Sequence, residues 1–237
     1  AYQQAAALAG LHVVGIDCHI GSQITEIAPY LDAAARLLDV VELVEAAGIA
    51  LPHIDFGGGL GIAYNGETPP AADALCQQIL ALLDARGMGQ RQLVFEPGRS
   101  LVGNAGVCVT EVLYLKHGQS KNFCIVDAAM NDLPRPAMYQ AYHQIVPLEQ
   151  SAAAQASTYD VVGPVCESGD WLGNERRLSV QQGDLLAVMS AGAYCMSMAS
   201  NYNSRARAAE VLVADGQVHL IGEREPFAAL VQRERML

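Results

Sequence analysis

Residues 52–61 read Pro-His-Ile-Asp-Phe-Gly-Gly-Gly-Leu-Gly, a short apolar run that ends in three consecutive glycines. Brief β-branched and aromatic runs of this kind are typical of buried strands, and glycine allows the tight turn that follows. Similar runs lie on either side, at residues 13–18 and 93–95, and each is followed by a polar or glycine-containing motif. The three runs therefore predict three short strands, each leading directly into a candidate functional loop.

The segments between these strands have the periodicity of helices, at about residues 29–48 and 70–87. Strands that alternate with helices and are themselves almost continuously apolar predict a parallel sheet covered by helices. The carboxyl ends of parallel strands lie at one edge, in a (β/α)8 barrel as in a doubly wound sheet, and sites are built there. We therefore expect the motifs that begin at His19, Gly57 and Glu96 to contribute to one site.

The sequence changes in character after Arg99. Strand-like segments now follow one another directly, separated by turns that contain Gly, Asp and Asn, and this spacing predicts a largely antiparallel sandwich or barrel. Asp215-Gly216 is a two-residue hairpin signal. The predicted strand segments are residues 107–115, 122–126, 160–165, 185–189, 209–214 and 217–221.

We expect two domains, residues 1–103 and 104–237. A complete (β/α)8 barrel takes roughly 200 to 250 residues, whereas residues 1–103 supply only three clear strands. Two interpretations are open: a small open sheet, or the C-terminal part of a barrel whose earlier strands precede residue 1. The alanine-rich pattern of residues 2–11, which is typical of the end of a helix, favours the second.

The composition argues against several classes of function. The chain has 237 residues, a formal net charge of −11 and no run of Lys or Arg, so nucleic acid is a poor partner. Charged and amide side chains interrupt the longest apolar stretches, so we expect no membrane span, and no secretory signal is visible. Six cysteines without a CxxC pair predict neither a metal site nor disulfides and favour a reducing, cytoplasmic location.

The glycine-rich stretch 57–61 is a candidate phosphate-binding loop, because glycines that follow a strand can present backbone N–H groups to an anion. A dinucleotide-binding motif is excluded, since Ile62 or Tyr64 stands where the last glycine of GxGxxG is required. A tight turn with a purely structural role is the alternative interpretation.

Motifs after the two neighbouring strands carry further candidate groups. Glu96-Pro97-Gly98-Arg99 places a carboxylate, a rigid turn and a guanidinium together. Arg99 can bind a phosphate or a carboxylate through two parallel hydrogen bonds, and Glu96 can hold a protonated ring nitrogen. His19 can stack on an aromatic ring, and Ser22 can donate to a phosphate oxygen. A surface ion pair and a structural histidine are the alternatives.

The β-rich part contains three weaker signals. Residues 163–170 join the Cys166 thiol to two carboxylates in what we expect to be a polar, reachable loop, so this thiol is a candidate proton donor. A buried, inert cysteine is the alternative. Arg135 and Tyr139 are four residues apart and on a helical turn would share a face suited to a carboxylate, or form a surface arginine with a packed tyrosine. Tyr194 follows a glycine after another predicted strand.

Taken together, HIGSQ, GGGLG, EPGR, residues 131–139, CESGD and GAY occur in the order seen in diaminopimelate decarboxylases. The chain resembles this family, which belongs to the fold-type III pyridoxal-phosphate-dependent decarboxylases, over essentially its whole length. The resemblance implies the C-terminal part of a cofactor-binding (β/α)8 barrel followed by a β-sandwich or β-barrel domain. It also implies that the intact protein decarboxylates meso-2,6-diaminopimelate to L-lysine and CO2.

The resemblance further implies how the cofactor, pyridoxal 5'-phosphate, is bound. His19 would stack on the pyridine ring, and Glu96 would pair with the pyridinium nitrogen. Tyr194 would reach both cofactor and substrate. The phosphate and its surroundings would involve Ser22, Gly58, Gly59, Pro97, Gly98 and Arg99.

For the amino-acid substrate, the resemblance implies that Arg99, Arg135 and Tyr139 bind a carboxylate and that Glu167 binds the distal amine. Cys166 would protonate the α-carbon after CO2 has left, and its loop would enter the active site of a neighbouring subunit, which implies a homodimer with shared active sites. A glutamate after the cysteine, where ornithine enzymes usually have an aspartate, favours diaminopimelate as the substrate.

The sequence departs from the family in one respect. The family's cofactor lysine lies on an early barrel strand, whereas this chain has only Lys116 and Lys121, both expected near a turn in the β-rich part. We therefore expect a truncated or processed piece of a longer chain that is inactive in isolation. A sibling decarboxylase acting on ornithine, arginine or carboxynorspermidine, and a non-catalytic decarboxylase-like interaction module, are the alternatives.

Overall fold

The computed structural model describes residues 1–149 and 155–235. The chain divides into two compact units, Ala1–Val102 and Gly103–Leu237. We call the first the αβ unit and the second the β unit. The division lies one residue from the domain boundary predicted between residues 103 and 104.

The αβ unit is a three-stranded parallel sheet of order β1-β2-β3 with helices between its strands, as predicted. Proline at the first turn of α2 fits the helix start, because a proline there removes no intrahelical hydrogen bond. The elements are α1 Tyr2–Ala6, β1 Gly15–Asp17, α2 Ala28–Ala46, β2 His53–Asp55, α3 Ala72–Ala85, β3 Gln92–Val94 and the short α4 Arg99–Val102.

The core of the αβ unit lies between the sheet and one face of each long helix. Helix α2 buries side chains three and four positions apart, which is the spacing of one helical face. These residues pack with α3 and with the central strand: Ala34, Leu38, Val41, Ile54, Ile79 and Leu83. The predicted helical pattern of residues 2–11 was too long, because α1 ends at Ala6 and Gly10 adopts a positive φ of 87° that leaves the helix.

The β unit contains a six-stranded sheet of order β6-β9-β4-β5-β7-β8 and a separate hairpin, β10-β11. All strand pairs are antiparallel except β5 with β7, so the prediction of a largely antiparallel arrangement is confirmed. The elements are β4 Cys108–His117, β5 Asn122–Val126, α5 Arg135–Tyr139, β6 Ile145–Pro147, β7 Ser157–Val162, β8 Trp171–Leu178, β9 Leu185–Val188, β10 Glu210–Ala214, β11 Gln217–Gly222 and α6 Phe227–Val231.

Several strand predictions in the β unit need correction. Strands β6 and β8 were missed, and β8 carries Gly173 and three charged side chains that hide its apolar pattern. Strand β7 begins and ends three residues earlier than predicted. Lys116 lies within β4 rather than at a turn. The hairpin at Asp215-Gly216 is confirmed, since both residues adopt the positive φ that such a turn requires.

Among the described residues, no helix is long and apolar enough to cross a membrane.

Candidate functional site

The loops that follow the three parallel strands meet at the carboxyl edge of the sheet. The Gly58 N–H donates to Nδ1 of His19 at 3.2 Å, which joins the β2 and β1 loops. The Glu96 N–H donates to the Gly57 carbonyl at 2.8 Å, which joins the β3 and β2 loops. The expectation that these motifs come together is therefore met by direct hydrogen bonds between them.

Glycine is required in this cluster because the loops approach too closely for a side chain. A Cβ added at Gly58 would lie 2.2 Å from the Glu96 carbonyl oxygen, and one at Gly59 would lie 2.1 Å from the Gly21 carbonyl oxygen. Gly59 also has a φ of +94°, which L side chains rarely adopt. Close packing of three loops thus explains the glycine run.

The glycine N–H groups are not equivalent. Gly57 donates to the Asp55 carboxylate at 2.8 Å, and Gly58 donates to His19, so both are used within the protein. The Gly59 N–H has no assigned acceptor in the part of the chain that the structure describes. Because Nδ1 of His19 accepts a hydrogen bond, the proton of its neutral ring is on Nε2, and the ring is held in one orientation over the loop.

The carbonyl group of Gly58 connects the loop after β2 to helix α2. It accepts a hydrogen bond from the Tyr30 hydroxyl of α2 at 3.1 Å. Burial raises the pKa of Tyr30 to about 12, so the hydroxyl remains protonated and remains a donor throughout the physiological range. Sequence reasoning missed Tyr30, which lies among the apolar residues of the helix face.

Arg99 is the buried cation of this edge. Its Nη2 donates to Ser22 Oγ at 2.8 Å and its Nη1 donates to the Tyr64 hydroxyl at 2.6 Å, so it links the loops after β1, β2 and β3. Sequence reasoning used Tyr64 only to exclude a dinucleotide motif and did not foresee this role. Pro97 is half-buried beside it, whereas Gly98 is exposed and a Cβ there would meet nothing within 4 Å.

Three carboxylates lie at the same edge. Oxygens of Asp17, Asp55 and Glu96 lie within 4.8 Å of one another, at the ends of β1 and β2 and just beyond β3, with Asp17 and Glu96 exposed. They form a concentration of negative charge at this edge of the sheet. The prediction of no metal site stays a prediction, and such a cluster suits an organic cation as well as it suits a metal ion.

Arg135 and Tyr139 are the first and last residues of α5, as the helical interpretation expected. Their surroundings differ, because Arg135 is 7% exposed while Tyr139 is 62% exposed. The helical spacing is as predicted, whereas their sharing a site for a carboxylate stays a prediction. The Arg135 guanidinium lies 2.9 Å from Nε2 of the fully buried His143, a residue that sequence reasoning missed.

Cys166 and Glu167 lie in the exposed loop between β7 and β8, so the reachable thiol that was predicted is observed. The Tyr202 hydroxyl donates to the Glu167 carboxylate at 2.8 Å. Asp170 was wrongly taken as part of the polar exterior of this loop. It is 4% exposed and accepts the N–H groups of Met130 and Val165, so it holds the base of the loop.

Tyr194 follows β9 with a positive φ of 58° and is 40% exposed. The next residue, Cys195, donates to the Asp132 carbonyl at 3.3 Å. A hydrogen bond with the Cys108 thiol lowers the pKa of Cys195, and the same bond together with burial raises the pKa of Cys108. The tyrosine is thus exposed, and the residue after it is half-buried and held by a hydrogen bond.

Comparison with known proteins identifies the family. Residues 11–192 match the model of the pyridoxal-dependent decarboxylase C-terminal sheet domain. The chain belongs to the pyridoxal-dependent decarboxylase family. The match covers the strand-end loops of the αβ unit as well as all six strands of the sheet of the β unit.

Curated relatives are diaminopimelate decarboxylases. The chain is 50% identical over 236 residues to that of Vibrio cholerae, and 51% identical over 236 residues to that of Pseudomonas aeruginosa; each match covers 100% of this chain and 56% of the relative. The M. jannaschii diaminopimelate decarboxylase structure in complex with L-lysine is similar with a TM-score of 0.93 and 37% identity, covering 99% of this chain and 55% of that one. The chain thus spans little more than half the length of these proteins.

Proposed function

We propose that this chain is the cofactor- and substrate-binding portion of a diaminopimelate decarboxylase, which converts meso-2,6-diaminopimelate to L-lysine and CO2 when complete. The observation that carries the proposal is the meeting of three strand-end loops, in which His19, Gly58 and Arg99 are held by direct hydrogen bonds. The 50% identity to a relative of that name supports the same substrate.

The residues at this edge fit pyridoxal 5'-phosphate. Gly59 packs against the Gly21 backbone, and its N–H has no acceptor among the described residues. Ser22 and Arg99 are hydrogen-bonded to each other at the same edge. A phosphate dianion is stabilised by backbone N–H groups, a hydroxyl and a guanidinium in combination. In our proposal Gly58 contributes differently, because its N–H orients His19.

The ring of the cofactor needs an aromatic or imidazole face and an anion at its nitrogen. We assign these to His19, whose orientation is fixed by Gly58, and to Glu96, whose charge is reinforced by Asp17 and Asp55. When bound, the cofactor supplies an electron sink for cleavage of the bond to the departing carboxylate. Glu96 favours that role by holding a proton on the ring nitrogen.

The β unit supplies the candidate substrate groups. In our proposal Arg135 and Tyr139, with Arg99, bind a substrate carboxylate, Glu167 binds the distal ammonium, and Tyr194 contacts substrate and cofactor. The Cys166 thiol transfers its proton from Sγ to the substrate α-carbon, and its position in an exposed loop supports access to that carbon. Pro97 and Gly98 shape the turn between Glu96 and Arg99.

We further propose that the αβ unit is part of a (β/α)8 barrel and that the active protein is a homodimer with shared active sites. The chain has only two lysines, Lys116 in β4 and Lys121 near the start of β5, and neither is near the strand-end loops of the αβ unit in sequence. Without a lysine at the cofactor there is no covalent attachment, so the isolated chain is expected to be inactive.

The experiment uses a hybrid protein in which this chain replaces the matched 236 residues of the Vibrio cholerae relative. CO2 release is measured with diaminopimelate, ornithine, arginine and carboxynorspermidine. We expect turnover of diaminopimelate and none by the isolated chain. A Ser22→Ala variant should bind the cofactor more weakly, whereas Ser120→Ala, in the exposed turn between β4 and β5, is the matched control.

Two results would contradict the proposal. A folded hybrid that binds pyridoxal 5'-phosphate but prefers ornithine, arginine or carboxynorspermidine would identify a sibling decarboxylase. A folded hybrid that binds no cofactor would favour the non-catalytic interaction module.

A further inference from the structure

His143 is a fully buried histidine of the β unit, and each of its two ring nitrogens has a partner. It has no solvent exposure and lies just before β6, beyond the turn that ends α5. Its Nδ1 is 2.8 Å from the Met189 carbonyl oxygen, and its Nε2 is 2.9 Å from Nη1 of Arg135. The two contacts lie on opposite sides of the ring.

The chemistry of the two partners determines the state of the ring. A carbonyl oxygen only accepts hydrogen bonds, so Nδ1 must carry the proton that is donated to Met189. A guanidinium only donates, so Nε2 must offer its lone pair to Arg135. The ring is therefore the neutral Nδ1–H tautomer, since a second proton on Nε2 would place two cations 2.9 Å apart.

The backbone around His143 is also held. Nη2 of Arg176 in β8 donates to the His143 carbonyl at 3.3 Å, and the Arg176 guanidinium lies 3.9 Å from the centre of the Tyr142 ring. Burial lowers the pKa of Arg176, but an arginine remains charged at any physiological pH. The imidazole is thus held by Arg135 of α5 and by Met189 just after β9, and the His143 backbone is held by Arg176 of β8.

We propose that His143 is a positioning residue that fixes the Arg135 guanidinium for binding of the substrate carboxylate. The inference rests on the role of Arg135 given under the proposed function. A buried arginine has many rotamers, and a neutral acceptor at a fixed point selects one of them without cancelling the positive charge. A carboxylate in the place of His143 would add a negative charge beside Arg135, whereas a neutral imidazole orients the guanidinium without adding one.

The test compares two amide substitutions in the hybrid protein. Glutamine places its carboxamide oxygen near the position of Nε2 and keeps the acceptor for Arg135, whereas asparagine reaches only the position of Nδ1 and keeps the donor to Met189. We expect H143N to raise both KM for diaminopimelate and Kd for L-lysine by about tenfold, the effect of losing one hydrogen bond to a charged group. We expect KM and Kd of H143Q to stay within about threefold of the parent values, because the hydrogen bond to Arg135 is kept. Cofactor content and kcat should change little in either variant.

A purely structural role would give a different pattern. If H143N and H143Q lower the unfolding midpoint equally and bind L-lysine equally well, the inference is wrong. It is also wrong if H143Q keeps its stability yet loses L-lysine binding, an outcome that does not depend on whether H143N folds.

Arg135→Met separates this inference from the proposed function. If this variant raises Kd for L-lysine while H143N does not, only the role of His143 is overturned. If Arg135→Met leaves KM and Kd unchanged, the substrate role of Arg135 is overturned, and the inference about His143 with it.

Discussion

The two units place their candidate groups in different ways. In the αβ unit the groups come together through backbone contacts between loops, as in the bonds from Gly58 to His19 and from Glu96 to Gly57. In the β unit they are held by buried side chains, such as His143 beside Arg135 and Asp170 beneath the Cys166 loop. These side chains are bonded in turn to residues far along the chain, His143 to Met189 and Asp170 to Met130. Parallel strands gather their loops by topology, whereas the β unit needs a separate anchor for each group.

The largest expected effect tests the loop contacts of the αβ unit. A Gly58→Ala substitution would set a Cβ 2.2 Å from the Glu96 carbonyl oxygen, which is backbone and cannot move aside alone. We expect a loss of about 3 kcal/mol of unfolding free energy, the upper part of the range for overpacking, together with weaker cofactor binding.

The control for that variant is Gly98→Ala, where a Cβ would meet nothing within 4 Å. It should leave the unfolding midpoint of the hybrid protein unchanged. Equal midpoints for the two variants would show that the loops do not approach as closely as the structure shows.

The next effect tests a side-chain anchor of the β unit. Thr110 is 2% exposed; its hydroxyl donates to Asp127 at 2.6 Å and accepts the Ala128 N–H at 2.9 Å. Thr110→Val keeps the shape but leaves that buried N–H without an acceptor, so we expect a loss of about 2 kcal/mol. Thr158→Val on the exposed side of β7 is the matched control, and denaturant unfolding of both variants provides the measurement.

A smaller and pH-dependent effect concerns the ion pair between Glu45 and Arg91 in the αβ unit. The two oxygens of Glu45 accept bonds of 2.5 and 2.7 Å from Arg91, and these bonds lower the pKa of the carboxyl. A lowered pKa in the folded state gives stability that is present above the ordinary pKa and lost as pH falls through the lowered one.

Glu45→Gln should therefore destabilise the protein by about 1 kcal/mol at pH 7. The difference from the parent should shrink as pH falls below the ordinary glutamate pKa and disappear once pH is below the lowered pKa of Glu45. Glu42→Gln is the control, because Glu42 is 55% exposed and 3.3 Å from its partner Arg86. A difference that persists in acid would show that Glu45 acts through packing rather than charge.

The last prediction involves labelling rates rather than stability. Burial raises the pKa of Cys124 to about 12, so its thiol stays protonated at pH 8 and is also out of contact with solvent. The exposed Cys166 should therefore react first with a thiol reagent, and Cys124 last. Mass spectrometry after short exposure measures the order, and Cys166→Ser should remove the fast phase.

The same contrast explains what the sequence could predict. The αβ unit follows from local patterns, because its strands are apolar and each motif comes directly after one of them. Gly58 and Gly59 lie where the strand-end loops meet, as the pattern predicted, and the N–H of Gly58 donates to His19. Their binding of a phosphate stays a prediction. Tyr30 and Tyr64 were missed, since an aromatic residue in a helix face or loop looks like packing until its hydroxyl partner is known.

In the β unit the exposed Cys166 and the hairpin at Asp215 were predictable, because turn chemistry is local. The different surroundings of Arg135 and Tyr139 were not, since they depend on β6 and β8, which the sequence did not reveal as strands. His143 was missed for the same reason: nothing in its neighbours along the chain indicates that Met189 and Arg135 lie on either side of its ring.

The most direct test of the central claim compares the affinities of the hybrid protein for pyridoxal 5'-phosphate and for pyridoxal, which lacks the phosphate. Binding is measured by absorbance between about 330 and 430 nm, where the bound cofactor absorbs. If the loops after β1, β2 and β3 form one phosphate site, the phosphorylated form should bind at least about a hundredfold more tightly, as several charge-assisted hydrogen bonds require. Arg99→Met should remove most of that preference. Equal affinity for the two forms in the parent protein would contradict the account.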